Sequence, residues 1–312
     1  MVINTVPYSA GFREKNVSST AISVVIPTYR RERLLIETIR YLITLRPSPV
    51  EVLIVDQTSC HERDTERALT EFHERGIIRW LKLSHPSITA AMNLGLNEAR
   101  GNVVLFLDDD IKPDPNLIRG HVEAHESNHM IVAGQVLQPG EQPSESSSGS
   151  GHFRFSSRTP CFVSEFMGGN FSISRDFAIS LGGFDENFVR VAYRFEAEFA
   201  QRALASGARI YFQPSARINH LKATDGGTRS FGYHLTTARP SHTVGAYYHV
   251  LRSNKTWSKR MQDVLSRPLR SISTKHHAKH PWWIPATLIS EMLGFIWAVT
   301  LYIRGPRLIR LS

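Results

Sequence analysis

The chain is predicted to fold as an α/β protein: a mostly parallel sheet flanked by helices, followed by a helical C-terminal region. Three observations predict this. Short apolar runs alternate with stretches of helical periodicity over residues 22–107, the order that builds βα units. Three of those runs end in polar residues that the alternation brings to one sheet edge: Pro27-Thr28-Tyr29, Asp56-Gln57-Thr58 and Asp108-Asp109-Asp110. Beyond residue 230 the chain changes character, becoming basic and then continuously apolar.

The elements follow in order. Residues 22–28 form an apolar run closed by Pro27-Thr28, and 32–45 carry helical periodicity through Leu34, Leu35, Thr38, Ile39 and Leu42. Residues 50–55 are the next strand, ending at Asp56, and 64–75 the next helix. A third strand is expected over 77–83, then a helix over 87–100 that Gly101 closes. Residues 103–107 (VVLFL) read as a strand buried on both faces. The alternation then breaks: the Ser/Gly/Pro-rich stretch 138–151 (QPGEQPSESSSGSG) cannot form a core and is expected to be a mobile loop.

A chain of 312 residues, 41% of them hydrophobic, can bury a sizeable core. Its two cysteines, Cys60 and Cys161, make no disulfide framework and fit a reducing compartment. The N-terminus lacks the continuous apolar segment of a secretory signal. Residues 252–312 hold eleven Lys and Arg against Asp263 and Glu291, which accounts for the whole formal charge of +9. Those basic residues are not interleaved with aromatics as a nucleic-acid reading surface would be, so no nucleic-acid partner is expected. They flank residues 282–303, a Trp-edged apolar stretch whose only formal charge is Glu291. That pattern suits an anionic membrane surface. Pro285, Glu291 and Gly294 argue for an embedded or interfacial helix over a spanning one, with a core or dimer helix as the soluble alternative. The expected location is the cytoplasmic face of a membrane.

Three adjacent carboxylates at a strand end repel one another unless a cation or hydrogen-bond donors neutralise them. Ligands of open α/β sheets bind at that end. The convergence describes a cleft with an acidic side chain suited to a nucleoside, Asp56, beside a carboxylate site for a hard divalent cation, Mg²⁺ or Mn²⁺. Neither GxxxxGK[ST] nor GxGxxG is present, so a metal is the implied phosphate holder.

Several segments, in order, resemble family 2 glycosyltransferases. Val25-Ile26-Pro27-Thr28-Tyr29-Arg30-Arg31, Val55-Asp56, Asn93-x-Gly95, Ala99-x-Gly101 and Leu105-Phe106-Leu107-Asp108-Asp109-Asp110 are similar to that family's nucleotide-sugar half. Gly168-Gly169-Asn170-Phe171-Ser172-Ile173 and Gly182-Gly183-Phe184-Asp185-Glu186 are similar to its acceptor-side signature. The resemblance implies a GT-A (Rossmann-like) domain over residues 21–230, with residues 1–20 as an N-terminal extension and 231–312 as a basic, helical tail. It implies an inverting, metal-dependent transfer from a nucleotide-diphosphate sugar to a glycan or lipid-linked acceptor. It also implies roles. Pro27, Thr28, Tyr29, Asp56, Asn93, Asp108 and Asp109 fall on donor-binding positions; Gly169, Asn170 and Asp185 on acceptor-binding ones. Asp108 and Asp110 match the outer carboxylates of the DxD motif, and His220 a late histidine that meets the metal or diphosphate. Counting back from Arg202 places Glu196 at the general-base position, with Phe195 where the family's first acid normally sits. Arg229, delivered by Gly226-Gly227, is a candidate diphosphate contact.

Each assignment has a plainer alternative. Glu196 and Glu198 could be solvated helix faces, with Arg202 an i+4 partner of Glu198. His220 could be structural, and Asp185 a turn cap. His121, His125 and His129 fall at helical spacing and are expected to form a solvent-facing stripe. For the whole protein the alternatives are a sugar-nucleotide nucleotidyltransferase and a non-catalytic binding partner at the membrane.

Overall fold

The computed structural model describes residues 20–145, 148–149 and 152–310. The expected N-terminal extension lies outside them but for residue 20, as does part of the expected mobile loop. Within its described part, Ser144 bridges Ser157.

The chain opens with β1 (Ile22–Thr28), α1 (Arg33–Leu42), β2 (Glu51–Asp56), α2 (Arg63–Glu74), β3 (Arg79–Lys82), α3 (Ile88–Glu98) and β4 (Val103–Leu107). This matches the expected alternation element for element. It continues through β5 (Ile111–Pro113), α4 (Leu117–Glu126), β6 (Ile131–Leu137), β7 (Ser148–Gly149), β8 (His152–Phe153), β9 (Cys161–Val163), β10 (Asn170–Ser174), α5 (Arg175–Ser180), α6 (Phe195–Ala205) and β11 (Ile210–His220). The C-terminal region holds α7 (Thr243–Arg252), α8 (Trp257–Ile272), α9 (Lys275–Lys279) and α10 (Ile284–Arg304).

The main sheet runs β3-β2-β1-β4-β10-β6-β11-β5, with β9 on β11. It is parallel from β3 to β4, and β6 and β11 are parallel to each other. β10 is antiparallel to both its neighbours, and β5 and β9 run against β11. The second half of the sheet is therefore mixed, because β10 returns through the β7–β9 excursion without a crossover helix.

Period-two alternation in the buried strands builds two cores, one on each face. Val104 and Phe106 of β4 join Val25 of β1 on one face. Val103, Leu105 and Leu107 join Val24 and Ile26 on the other, under α1, α2 and α4. Gly95 lets α3 lie directly on β1, because a Cβ there would collide with the Val25 side chain. The C-terminal region is packed onto this body: Val244, Tyr247, Tyr248 and Leu251 of α7 and Ala298 and Leu301 of α10 share the first core.

One polar fastener ties that region down. The Tyr248 hydroxyl donates to Asp185 Oδ2 at 2.7 Å and accepts from Asn187 Nδ2 at 3.0 Å, while Asp185 Oδ1 accepts the backbone N–H groups of Asn187 and Arg307. Replacing Tyr248 by Phe leaves a buried carboxylate short of a donor, at a cost of about 1–3 kcal/mol. The expected outcome is a thermal midpoint several degrees lower by calorimetry; an unchanged midpoint would show that this fastener carries no stability.

Candidate active site

The strand ends that carry Pro27-Thr28-Tyr29 and the Asp triplet meet in one cleft of about 280 Å³. Successive carboxylates of the triplet face different partners. Asp109 turns inward, where Thr28 Oγ1 donates to its Oδ2 at 2.7 Å and Arg31 Nε to its Oδ1 at 2.9 Å. Both its oxygens are thereby engaged, so it forms the floor of the cleft. Asp110 accepts the backbone N–H of Ala223 at 2.8 Å and lies 3.1 Å from His220 Nε2. Asp108 is the open member, with its side chain 45% exposed and 3.8 Å from the same imidazole nitrogen.

Strand register brings His220 here: the end of β11 pairs antiparallel with β5, setting His220 opposite Ile111, the residue after the triplet. One ligand atom each from Asp108, Asp110 and His220 lie within 4.8 Å of one another. Electrostatics follow the contacts. Although Asp108 opens to the cleft, the protein around it strips much of its hydration; that desolvation and the neighbouring carboxylates push it up to about 6, against the pull of His220. Burial would raise Asp110 too, but the bonds from His220 and Ala223 hold it below the usual carboxylate range. The Asp110 bond raises His220 in turn. Two carboxylates gathered on one proton-hungry imidazole form a site built for positive charge, and two oxygens plus one nitrogen suit Mn²⁺ or Mg²⁺.

The cleft wall opposite is cationic and aromatic. Gly227 N–H donates to Tyr29 O at 2.7 Å, which folds the 3₁₀ turn Gly227–Phe231 over the site and brings Arg229 and Phe231 into its lining. Phe231 stacks on Tyr29 at 6.2 Å. Gly226 must be glycine, since it has φ +70° and a Cβ would collide with the Arg30 carbonyl.

A second cavity of about 550 Å³ adjoins the first, and Asp108, Ile88 and Thr228 line both. Glu196, on the first turn of α6, faces this cavity beside Gly168 and Gly169. Both glycines keep the carboxylates where they are: a Cβ on Gly169 would displace the Asp108 carboxylate, and one on Gly168 would stand 2.9 Å from Glu196 Oε1 and push that side chain aside. Burial and the charge of Asp108 push Glu196 up to about 7, with Arg194 opposing. The turn leading into α6 is strained, with Arg190, Ala192 and Arg194 all at positive φ. Arg190 reaches the first cavity and Arg194 the second.

Five expected site residues stand elsewhere. Thr28 is buried beneath the cleft, its hydroxyl given to Asp109. Asp56 is fully buried behind the cleft; Thr58 N–H, His61, Trp80 and Lys82 consume its oxygens, and these donors outweigh burial and hold it well below its usual range. Its neighbour Gln57 lines the cleft instead, bridging Thr28 O and Ser87 N–H. Asn93 clamps the loop after α5, bonding Phe184 through both its backbone groups. Asp185 caps its own turn and binds Tyr248, so the turn-cap alternative describes it. Asn170 donates to Gln135 O and Ala216 O within the sheet and accepts from His121.

The expected solvent-facing histidine stripe is also corrected. His121 is fully buried and His125 largely so, in a chain running His125–Ser172–His121–Asn170 with contacts of 2.7, 2.7 and 3.0 Å. Burial lowers His121 to about 4 and His125 to about 3, which keeps both neutral. His129 stacks on Tyr211 at 4.0 Å. This face of α4 lies against β10 and β11, so the spacing marks a packed polar seam.

Sequence reasoning left Arg31, Gln57, Arg190 and Arg194 without roles. Arg31 was signalled by its place in the β1 motif; the turn that directs Arg190 and Arg194 has no sequence signature.

The fold class is GT-A, and comparison with known proteins supports it. A structure of GalNAc-T7 with UDP, GalNAc and Mn²⁺ superposes with a TM-score of 0.63 at 16% identity, over 93% of this chain and 57% of that one. The family model "Glycosyl transferase family 2" matches residues 23–188, just over half of the chain, and the chain belongs to that family. A glucosyl-dolichyl phosphate glucuronosyltransferase of Haloferax volcanii is 26% identical over 222 residues, covering 64% of this chain and 68% of its own. An uncharacterized glycosyltransferase of Rickettsia conorii is 32% identical over 117 residues, 38% of this chain; the match spans only 19% of that relative's length.

The Asp110–His220 bond is directly testable. Asp110→Asn is expected to lower the His220 titration midpoint measured by NMR, since the carboxylate that favours imidazolium is gone. An unmoved midpoint would separate the two side chains.

Proposed function

We propose that this protein is an inverting, metal-dependent glycosyltransferase that moves a sugar from a nucleoside diphosphate to a hydroxyl of a glycan or lipid-linked acceptor. The observation that carries this reading is the shared wall. Asp108 belongs both to the carboxylate–histidine cluster of one cavity and to the Glu196 cavity beside it. A donor in the first cavity and an acceptor in the second would meet across that carboxylate.

Each side chain then has a task. Pro27, Tyr29, Gln57 and Phe231 bound the nucleoside end, and Arg229 faces the diphosphate. Asp108, Asp110 and His220 would hold Mn²⁺ or Mg²⁺; when bound, the cation supplies charge stabilisation for the departing nucleoside diphosphate. Glu196 accepts the acceptor hydroxyl proton. A carboxylate raised to about 7 is a stronger base than an ordinary one yet still substantially ionised near neutrality. Asp109 carries no ligand role here: Arg31 and Thr28 occupy it, and it keeps the floor neutral.

The same reading sets the enzyme on a bilayer surface. α10 turns Thr287, Ser290, Glu291, Gly294 and Ala298 toward the protein and leaves Ile289, Met292, Leu293, Phe295 and Ile296 exposed. Large apolar side chains outward and small or polar ones inward is the reverse of a soluble amphipathic helix. Exposed Leu265 and Leu269 on α8 and the basic flanks of α10 extend the pattern.

The test is nucleoside diphosphate release from a panel of nucleotide sugars, with Mn²⁺ and then with chelator. Release should require the metal, and Glu196→Gln should reduce it about 10²–10⁴-fold with nucleotide affinity retained. The base must be ionised, so the wild-type rate should climb as pH rises through about 7, and Glu196→Gln should lose that limb. A variant of undiminished rate would remove Glu196 from the mechanism.

For the bilayer, Ile289→Glu combined with Ile296→Glu charges one exposed face. Co-sedimentation with anionic vesicles should fall sharply while thermal stability stays within about 0.5 kcal/mol. Unchanged vesicle binding would overturn the membrane reading.

A further inference from the structure

A third cavity, of about 470 Å³, lies between α7, α8, the start of α10 and the strained turn before α6. Its volume is that of a small-molecule site, roughly 300–1,000 Å³. Four permanent cations line it, Arg194, Lys255, Arg267 and Arg270, against two acids, Asp263 and Glu291. Lys255 and Arg270 share Asp263, and Arg267 pairs with the buried Glu291 at 3.1 Å. Arg194 makes no ion pair within 4 Å among the described residues, though its charge reaches Glu196, and four cations against two acids leave the lining a formal charge of +2.

The surroundings respond to that excess. The lining imidazoles of His242 and His249 are driven down to about 3 and about 4, by burial first, then for His242 by His234 followed by Arg267 and Arg194, and for His249 by Arg194 and Lys255. Neutral imidazoles add hydrogen-bonding capacity without adding to the repulsion. Some of that capacity is unspent: His249 Nδ1 is buried without a hydrogen-bond partner among the described residues, whereas Arg267 Nε is taken by Glu291. Buried polar atoms are ordinarily satisfied, so this imidazole nitrogen marks a place for a polar occupant. A cavity with surplus positive charge and a spare hydrogen-bonding group selects an anion.

Location narrows the anion. Tyr193 and Arg194 line this cavity and the Glu196 cavity alike, so the two adjoin across one turn. On the other side, the helices that enclose it are α8 and α10, whose outer faces carry the exposed Leu265, Leu269, Ile289 and Met292. A molecule lying across this path would place an apolar chain on the helices, an anionic group in the cavity and a hydroxyl near Glu196.

We infer that this cavity binds the phosphate or diphosphate of a lipid-linked acceptor, and so sets the acceptor class of the reaction. The inference deepens the proposed transfer at a membrane surface and rests on it. Arg194, at the junction of the two cavities, aligns the anionic group relative to the hydroxyl that Glu196 deprotonates.

Calorimetric titration of the full chain with farnesyl diphosphate, in the presence of chelator, tests the inference. Binding is expected, and Lys255→Gln combined with Arg270→Gln should weaken it about tenfold or more, since each removes a charge-assisted contact. Both side chains are exposed, and an unchanged thermal midpoint verifies that the variant is folded. Equal affinity in the variant would overturn the site, as would equal binding of farnesol, which lacks the anion. Inorganic diphosphate binding as tightly as farnesyl diphosphate would overturn the lipid-linked source and leave a free-anion site. Competition by phosphatidylglycerol micelles at equal strength would overturn it in favour of a bulk headgroup. Donor hydrolysis by the wild-type chain is read separately: its absence counts against the proposed transfer, while the probe-binding result still decides the site.

Discussion

Neutralising three consecutive carboxylates at the end of β4 is the constraint on which the site depends. Side by side, three ionised Asp residues in a partly dry cleft would be prohibitively repulsive. The protein separates them by partner. Arg31 and Thr28 take Asp109 into the floor; His220 and a backbone N–H take Asp110; Asp108 stays open between two cavities. Each partner arrives on a different element, so β1, the turn after β11 and the β5–β11 pairing must all be in register for the cluster to exist. Local strand chemistry and global topology are thus coupled at one point.

That coupling explains why the first half of the fold could be read from the sequence. β1, β2 and β4 are buried on both faces, so they appear as unbroken apolar runs, and the helices between them keep a clear stripe such as Leu35, Ile36, Ile39 and Leu42. The mixed half was less legible, because β10 follows a long irregular excursion after β6 and inserts antiparallel between β4 and β6, a pairing set by position in space. The cluster itself was legible because its residues are of the metal-binding types and fall at strand ends. Asp56, Asn93, Asn170 and Asp185 were harder for a chemical reason. A carboxylate or carboxamide has the same identity whether its lone pairs face a ligand or a backbone amide, and only the fold shows where they are spent. In this structure all four fasten loops and strands around the cavities. The histidines of α4 teach the same lesson: helical spacing locates a face, but β10 and β11 decide that it is covered.

The fasteners and the strain belong to one arrangement. The seam from His125 to Asn170 anchors the start of β10, and Asn170 follows the two glycines against which Asp108 and Glu196 lie. Opposite, three left-handed residues within five positions hold the turn that presents Arg190 and Arg194 to different cavities. Conformations of this kind cost roughly 1–3 kcal/mol each and persist only where the surroundings over-determine them. Here Tyr193 packs against Gly245 of α7, and Asp185 and Asn187 are bonded to Tyr248 on the same helix. Rigid support around the Glu196 carboxyl is what allows burial to raise it without the chain relaxing to expose it.

The packing of α10 carries the argument from the site to its setting. Gly294 sits so close to Thr243 of α7 that a Cβ would collide, and Ser290 and Thr287 lie on the same inner face. Small residues bring two helices into close contact, and over residues 287–298 that closeness leaves no room inward for large side chains, whereas Leu301 beyond it enters the core. Leu, Ile, Met and Phe are therefore displaced to the outside, where each exposed Å² of apolar surface forfeits about 25 cal/mol relative to burial. Such a face is unfavourable in water and favourable against a hydrocarbon boundary, and the arginines beyond Ile303 favour anionic headgroups beside it. The same helix supplies Glu291 to the cationic cavity. One element thus joins an exposed apolar face, a cavity with surplus positive charge and, through α7 and the strained turn, the cavity that Glu196 faces.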